Sequence, residues 1–259
     1  MSSYSYDQSV RSAQQHKEVH QYTTFAALEK IVGNKSLRFT RLDLLNDAIE
    51  DRLIIELWKS KVYVSCFTHR NHESYFFWKS YAKGSTDGVR LTFDEPLLSK
   101  LSLFYPDEKC NERQLEICKK TDLDVDFSPN IDSDFWGIYD YSCVDVIYLQ
   151  RNQHDAVGFN FQGRVKYTEW DQECETRLRV AVRPKGRESI LKHNRYRYCR
   201  PNNEYIYARL TDEILRSMQI TLSPFANAEL QRKVERLLLE NNLLDHVQIN
   251  KSVLTGEVN

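Results

Sequence analysis

The chain has 259 residues, of which 41% are hydrophobic and 28% charged, a composition of globular rather than disordered or fibrous proteins. A formal net charge of −1 excludes a global field that would recruit nucleic acid or a membrane, so such a partner would need a local patch. No apolar run reaches the roughly 18 residues of a membrane span, and the leader has no apolar secretory segment. The six cysteines are scattered without CxxC spacing. These features predict a cytoplasmic protein with reduced thiols and no membrane partner.

Short apolar runs rich in aromatic and β-branched residues alternate with a few helical patterns along the chain. In chain order the sequence predicts a strand at EVHQYTT, a helix at FAALEKIVGN, strands at SLRFT and KVYVSCF, a helix at ESYFFWKSYAKG, strands at GVRLTFD, YSCVDVIYL, GRVKYTEW and ECETRLRVAVRP, a strand at QITLSP, a helix at NAELQRKVERLLLENN and a strand at DHVQIN. This order predicts one α+β domain over 1–259, built from two small, mostly antiparallel sheets with flanking helices. Insertions are expected at about 95–137 and 184–204.

The stretch from Lys166 to Arg177 is the strongest candidate for a site, and the segment that begins at Glu173 is its first part to be weighed. The two-residue period of a strand puts Glu173, Glu175, Arg177 and Arg179 on one face. One interpretation is a solvated face whose charges pair with one another. The other is a carboxylate pair, positioned by arginines, in which Glu175 does acid–base or charge-stabilising work.

The aromatic helix offers a second candidate. Trp78 and Tyr81 are three residues apart and therefore share a helical face. Such a stripe usually packs in a core, but a Tyr at the edge of a pocket can stack on a planar ring and offer its hydroxyl.

Two metal sites are conceivable. The oxygen-rich loop can hold a divalent ion, although Asn-Asp before a helix more often caps it; its members are Asp43, Asn46, Asp47, Glu50 and Asp51. Cys66, His69 and His72 have metal-like intervals but no evident fourth ligand, which makes the zinc signal weak. We therefore predict no metal.

The segment 183–200 contains seven Lys or Arg residues, one acid and two interleaved tyrosines, Tyr196 and Tyr198. Cations for phosphates and rings for bases would suit nucleic acid. The alternatives are a solvated loop or one that pairs with the acidic stretch at 122–134.

The order of these segments resembles the bacterial family called domain of unknown function 2971. The resemblance rests on YTTFAALEKIVGNKSLRFTRLDLLND, VYVSCFTHRNHESYFFWKSYAKGSTDGVRLTFD, VKYTEWDQECETRLRV and the C-terminal TLSPFANAELQRKVERLLLENNLLDHVQINKS, and it covers most of the chain. The pattern KYxxWxxExExR is its most specific part.

A more distant resemblance is to the ADP-ribosyltransferases, whose split β-sandwich holds NAD between two small sheets. It implies NAD as substrate, with Glu175 stabilising the ribose cation, Glu173 acting on an acceptor and Tyr81 stacking on nicotinamide. It also implies a set of NAD-binding residues: His20, Gln21, Tyr22, Thr23, Arg38, Arg41, Ser65, Trp78 and Arg177. One departure is that Gln21, rather than His, aligns with the residue that grips the ribose, unless a strand slip restores His20.

Three functions remain open on the sequence. The first is an ADP-ribosyltransferase-like enzyme that modifies nucleic acid or protein, or hydrolyses NAD. The second is a non-catalytic nucleotide- or partner-binding module of the same fold, which Gln21 favours. The third is a metal-dependent nuclease that uses Asp43, Asp47 and Glu50.

Overall fold

The computed structural model describes residues 16–45, 59–100, 136–150, 163–184, 201 and 204–257. The strands are β1 (Glu18–Thr24), β2 (Ser36–Arg41), β3 (Val62–Thr68), β4 (Gly88–Asp94), β5 (Trp136–Asp145), β6 (Ile147–Leu149), β7 (Val165–Tyr167), β8 (Glu175–Pro184), β9 (Tyr205–Arg209), β10 (Gln219–Leu222) and β11 (Gln248–Lys251). The α-helices are α1 (Phe25–Gly33), α2 (Tyr75–Ser80), α3 (Glu95–Lys100), α4 (Asp212–Ser217) and α5 (Ala228–Glu240), and 3₁₀ turns lie at Leu42–Leu44 and Thr168–Glu173.

Some sequence predictions fall outside these described residues. They are the interaction of the basic segment with nucleic acid or with the acidic stretch, and the oxygen-rich loop apart from Asp43.

Nine of the described strands form one large mixed sheet. Its order is β11-β10-β4-β1-β3-β2-β9, with β8 beside β3 and β5 beside β8. Every pair in it is antiparallel except β10 with β11. Strands β6 and β7 form a second, parallel pair. The protein therefore combines helices with a large mixed sheet and a small second sheet, whereas the sequence predicted two small sheets.

The large sheet divides where β1 leaves β3. Strand β1 pairs with β4 over its whole length but meets β3 only at His20 and Thr68. Strand β2 takes up the same edge of β3 further along, at Val64 and Tyr63. The middle of β3 is thus flanked by two diverging strands, and a cleft opens between them.

Apolar side chains at helical spacing fix α1 and α5 on the sheet. Leu28, Ile31 and Val32 of α1 and the buried leucines of α5 belong to the same main core. Asn227 caps the N-terminus of helix α5, because its Oδ1 accepts from the main-chain N–H groups of Glu229 and Leu230, each at 3.1 Å. None of the described helices has the length and apolarity that crossing a bilayer would require.

A smaller apolar core lies on the face of the large sheet opposite the main core, beside the candidate site. Val62 and Val64 of β3 pack there with Val165 and Tyr167 of β7. The second sheet therefore acts as a cover over β3 and β8, and it carries Lys166 in towards β8.

Candidate functional site

A cleft of about 860 Å³ occupies the gap between β1, β2 and the middle of β3. Helix α1 forms one wall, and the 3₁₀ turn Thr168–Glu173 with the start of β8 forms another. Most of the site residues predicted from the sequence line this cleft: His20, Gln21, Tyr22, Thr23, Arg38, Ser65, Tyr81, Glu173, Glu175 and Arg177. Segments far apart in the sequence thus supply one continuous surface.

Two predicted residues, Trp78 and Arg41, lie outside the cleft lining. Trp78 is fully buried against the edge of Tyr22, and its Nε1 donates to Glu73 at 3.0 Å. The buried Arg41 guanidinium donates to Asp43 at 2.6 Å and to the carbonyl of Pro201 at 2.7 Å. These contacts show that both side chains stabilise the fold rather than line the candidate site. The Asp43 carboxylate is likewise engaged, by Arg41.

Backbone geometry at Cys174 sets the directions of the two glutamates. The 3₁₀ turn ends at Glu173, Cys174 adopts a left-handed conformation with φ 43°, and β8 begins only at Glu175. The prediction that Glu173 belongs to the strand is therefore wrong. Both carboxylates nevertheless converge on Lys166. Its Nζ lies 2.6 Å from Glu173 Oε2 and 2.9 Å from Glu175 Oε2.

The charged face of β8 is buried rather than solvated. Glu173 and Glu175 are each 5% exposed and Arg177 is 1% exposed, so the interpretation as a solvated strand face is wrong. Arg177 donates to both oxygens of Glu175, at 2.7 and 3.1 Å. Burial alone would raise the pKa of Glu175, but Arg177 and Lys166 lower that pKa to about 2.

Tyr81 connects the carboxylates to the open part of the cleft. Its hydroxyl donates to Glu173 Oε1, while the side chain remains 45% exposed. Burial of the hydroxyl and the hydrogen bond to Glu173 raise the pKa of Tyr81 well above its usual value, so the phenol stays protonated. The ring can therefore stack on a ligand while its hydroxyl is held.

Three of the residues that line the cleft are exposed cations. Lys30 of α1, Arg38 of β2 and Lys83 are exposed, and all three line it. Within the described part of the chain, none of these three forms an ion pair with an acidic side chain. Arg38 lies with its guanidinium 4.8 Å from the centre of the Tyr205 ring. These cations are available to an anionic ligand.

The sequence analysis gave no individual role to several residues that line the cleft. Lys166 and Trp170 stand in the KYxxWxxExExR pattern, so that motif already contained the signal that would have found them. Lys30 and Lys83 gave no such signal, because a single Lys on a helix or in a turn looks like any solvated residue.

The two candidates for gripping a ribose are both already bonded. Gln21 Nε2 donates to the carbonyl of Cys66 at 3.2 Å, across the gap where β1 and β3 diverge. His20 is 3% exposed, and its Nδ1 lies 2.9 Å from Thr92 Oγ1. The register of β1 on β4 is continuous, so no bulge turns His20 to the face of Gln21 and Thr23.

We expect His20 to make the protein sensitive to mild acid. Burial, with a contribution from Arg90, lowers the pKa of His20 from 6.5 to about 4. Because the folded pKa lies below the unfolded one, this contribution is complete above pH 6.5 and is lost as the pH falls towards 4. Acidification from pH 7 to 5 should remove about 2 kcal/mol of unfolding free energy through this group. Urea unfolding of wild type and His20→Asn at both values measures it, and an equal loss in the two proteins would contradict the assignment.

The residues with metal-like intervals, for which the sequence predicted no metal, do not converge on one point. The thiol of Cys66 hydrogen-bonds to Glu175, and burial raises its pKa well above the usual value. His69 instead bonds Thr176 Oγ1 at 2.9 Å, on the other face of β8. His69 does approach His16 and Asp145, but the two imidazoles are stacked 3.9 Å apart with planes only 3° from parallel. Lone pairs in parallel ring planes do not meet at one ion.

No protein-family model, curated protein or solved structure matches the chain. The fold and the cleft define a mixed α/β protein whose cleft is lined both by exposed cations and by ion-paired carboxylates.

Proposed function

We propose that the cleft binds NAD and cleaves its nicotinamide–ribose bond, as in ADP-ribosyltransferases, with transfer of ADP-ribose to water, nucleic acid or protein. The observation that carries this proposal is that Thr23, Tyr81 and Glu175 line the same cleft although they come from distant segments. The resemblance to that superfamily assigns these positions to its ribose-binding, middle and late elements.

The charge of the cleft supports an anionic ligand. Its described lining includes five basic side chains, of which only Lys166 and Arg177 are paired with the two acidic ones, Glu173 and Glu175. The remaining cations provide charge-assisted donors for a pyrophosphate.

The division of the sheet supports the finer fold assignment. A split β-sandwich places its ligand where two groups of strands separate, and here β1 and β2 diverge beside the middle of β3. We therefore include this architecture in the proposal.

The proposed reaction follows from the carboxylates. The bond from ribose C1′ to the nicotinamide nitrogen breaks, and its electron pair leaves with nicotinamide. Glu175, at the 2′-hydroxyl, stabilises the oxocarbenium-like cation. A lone pair of the acceptor then bonds to C1′, and the acceptor proton passes to the Tyr81 hydroxyl as Tyr81 gives its own proton to Glu173.

A second candidate is a non-catalytic nucleotide-binding module. It is favoured by Glu175, whose two oxygens already accept from Arg177 and Lys166, and by Gln21, which is bonded to the Cys66 carbonyl. NAD binding without nicotinamide release would identify this function.

Neutralising two of the exposed cations that line the cleft should weaken NAD binding. We expect the double variant Lys30→Gln, Arg38→Gln to raise the Kd for NAD by about tenfold or more, because it removes charge-assisted bonds to phosphate. Isothermal titration at fixed salt measures this effect, with nicotinamide release recorded on the same samples.

The matched control neutralises two exposed lysines outside the cleft lining, Lys233→Gln with Lys251→Gln. This control should bind NAD like wild type. The proposal fails if wild type neither binds NAD nor releases nicotinamide with any acceptor.

A further inference from the structure

The ammonium of Lys166 fills the space between the two carboxylates of the site. It contacts Glu173 Oε2 and Glu175 Oε2 and lies 5.3 Å from the centre of the Trp170 ring. Lys166 is 7% exposed. Burial would lower its pKa, but Glu175 and Glu173 raise it above the ordinary value, so the group stays charged.

Two carboxylates beside an aromatic face are the surroundings that proteins use to bind an ammonium or guanidinium ion. Here the occupant belongs to the chain itself. Its strand, β7, is anchored by Val165 and Tyr167 in the smaller core, which brings the Lys166 side chain to the carboxylates from the covered side.

We infer that Lys166 is the built-in occupant of a cation site and thereby restricts the acceptor of ADP-ribose to uncharged groups, such as water, a hydroxyl or a nucleobase. The restriction on the acceptor rests on the proposed function, whereas the cation site does not. A guanidinium or ammonium acceptor would have to displace Lys166 from both carboxylates or lie beside a like charge.

The cation site is tested without turnover by chemical rescue. Lys166→Ala empties the space, and propylammonium at millimolar concentration and constant ionic strength should raise its Tm by about 2–4 °C or more. Agmatine, which carries a guanidinium, should act similarly. Wild type should show no such shift, since its site is occupied.

Lys166→Met is the matched control, because it keeps the side-chain volume without the charge and leaves no room for a guest. It should be less stable than wild type and should not be rescued. Lys166→Arg should retain most of the stability. If Lys166→Ala does not fold, the order of these two variants decides: a Met variant as stable as the Arg variant overturns the cation site.

The acceptor restriction is tested by product analysis. Wild type is incubated with NAD and either agmatine or water alone, and nicotinamide and agmatine adducts are measured by mass spectrometry. We expect no agmatine adduct and no agmatine-dependent increase in nicotinamide. Transfer to agmatine by wild type overturns the restriction, and so does rescue of wild type by agmatine in the melting experiment. If wild type neither binds NAD nor releases nicotinamide with water, nucleic acid or protein as acceptor, the proposed function is refuted, whereas the rescue experiment still decides the cation site.

Discussion

Replacing Glu175 by Gln is expected to lower the rate of nicotinamide release from NAD by about 10²–10³-fold, the usual effect of removing one electrostatic stabiliser of a transition state. Gln keeps the size and the strand position but removes the charge that, in the proposed reaction, stabilises the ribose cation. Single-turnover assays under conditions in which the variant is folded would measure the loss, and the Kd for NAD would be determined in parallel. Glu173→Gln should be milder for hydrolysis and harsher for transfer to an acceptor.

Since Glu175 is buried, we expect the variant also to be less stable than wild type. A Glu on an exposed strand face would show little such loss. Glu95→Gln is the matched control, because Glu95 is buried too and lies outside the cleft lining. It should leave nicotinamide release unchanged. Equal rates for wild type and Glu175→Gln would exclude a catalytic role for Glu175.

Arg177→Met should lower the free energy of unfolding by about 3–5 kcal/mol, because it leaves a buried carboxylate with one partner fewer. Arg177 supplies two bonds to Glu175 and a third, at 3.1 Å, to the carbonyl of Gly163. Urea unfolding at pH 7 measures the loss. At this pH the Glu175 contribution is complete, since its depressed pKa means that it disappears only as the pH falls from about 4.5 through about 2.

The double variant Arg177→Met, Glu175→Gln removes both charges and tests the coupling. Its loss should be smaller than the sum of the single losses, as for residues in direct contact. Strictly additive losses, or a cost below about 1 kcal/mol for Arg177→Met, would mean that the pair behaves like an exposed one.

The local elements of the fold were predictable because they depend on residue spacing along the chain. The helix predicted at FAALEKIVGN is α1, the strand at GVRLTFD is β4, and the long C-terminal helix is α5. In the same way, the ExE spacing identified Glu173 and Glu175, and the WxxY spacing identified Tyr81. Periods of 2 and 3.6 residues are properties of neighbouring positions, which a sequence displays directly.

The sequence by itself thus predicted most of the strands and helices, although not β9 or α3, and it named the carboxylates, Arg177 and Tyr81. Only the tertiary structure decided that these charges are buried. The small sheet of β6 and β7 covers them, and that sheet packs on residues of β3 and β8. The cleft likewise depends on the divergence of β1 and β2 along β3. The position of Lys166 between two glutamates depends on how the second sheet packs on β8. The burial and the cleft depend on contacts between distant segments, which no local spacing encodes, whereas Lys166 lies only seven residues before Glu173 and shares one motif with it.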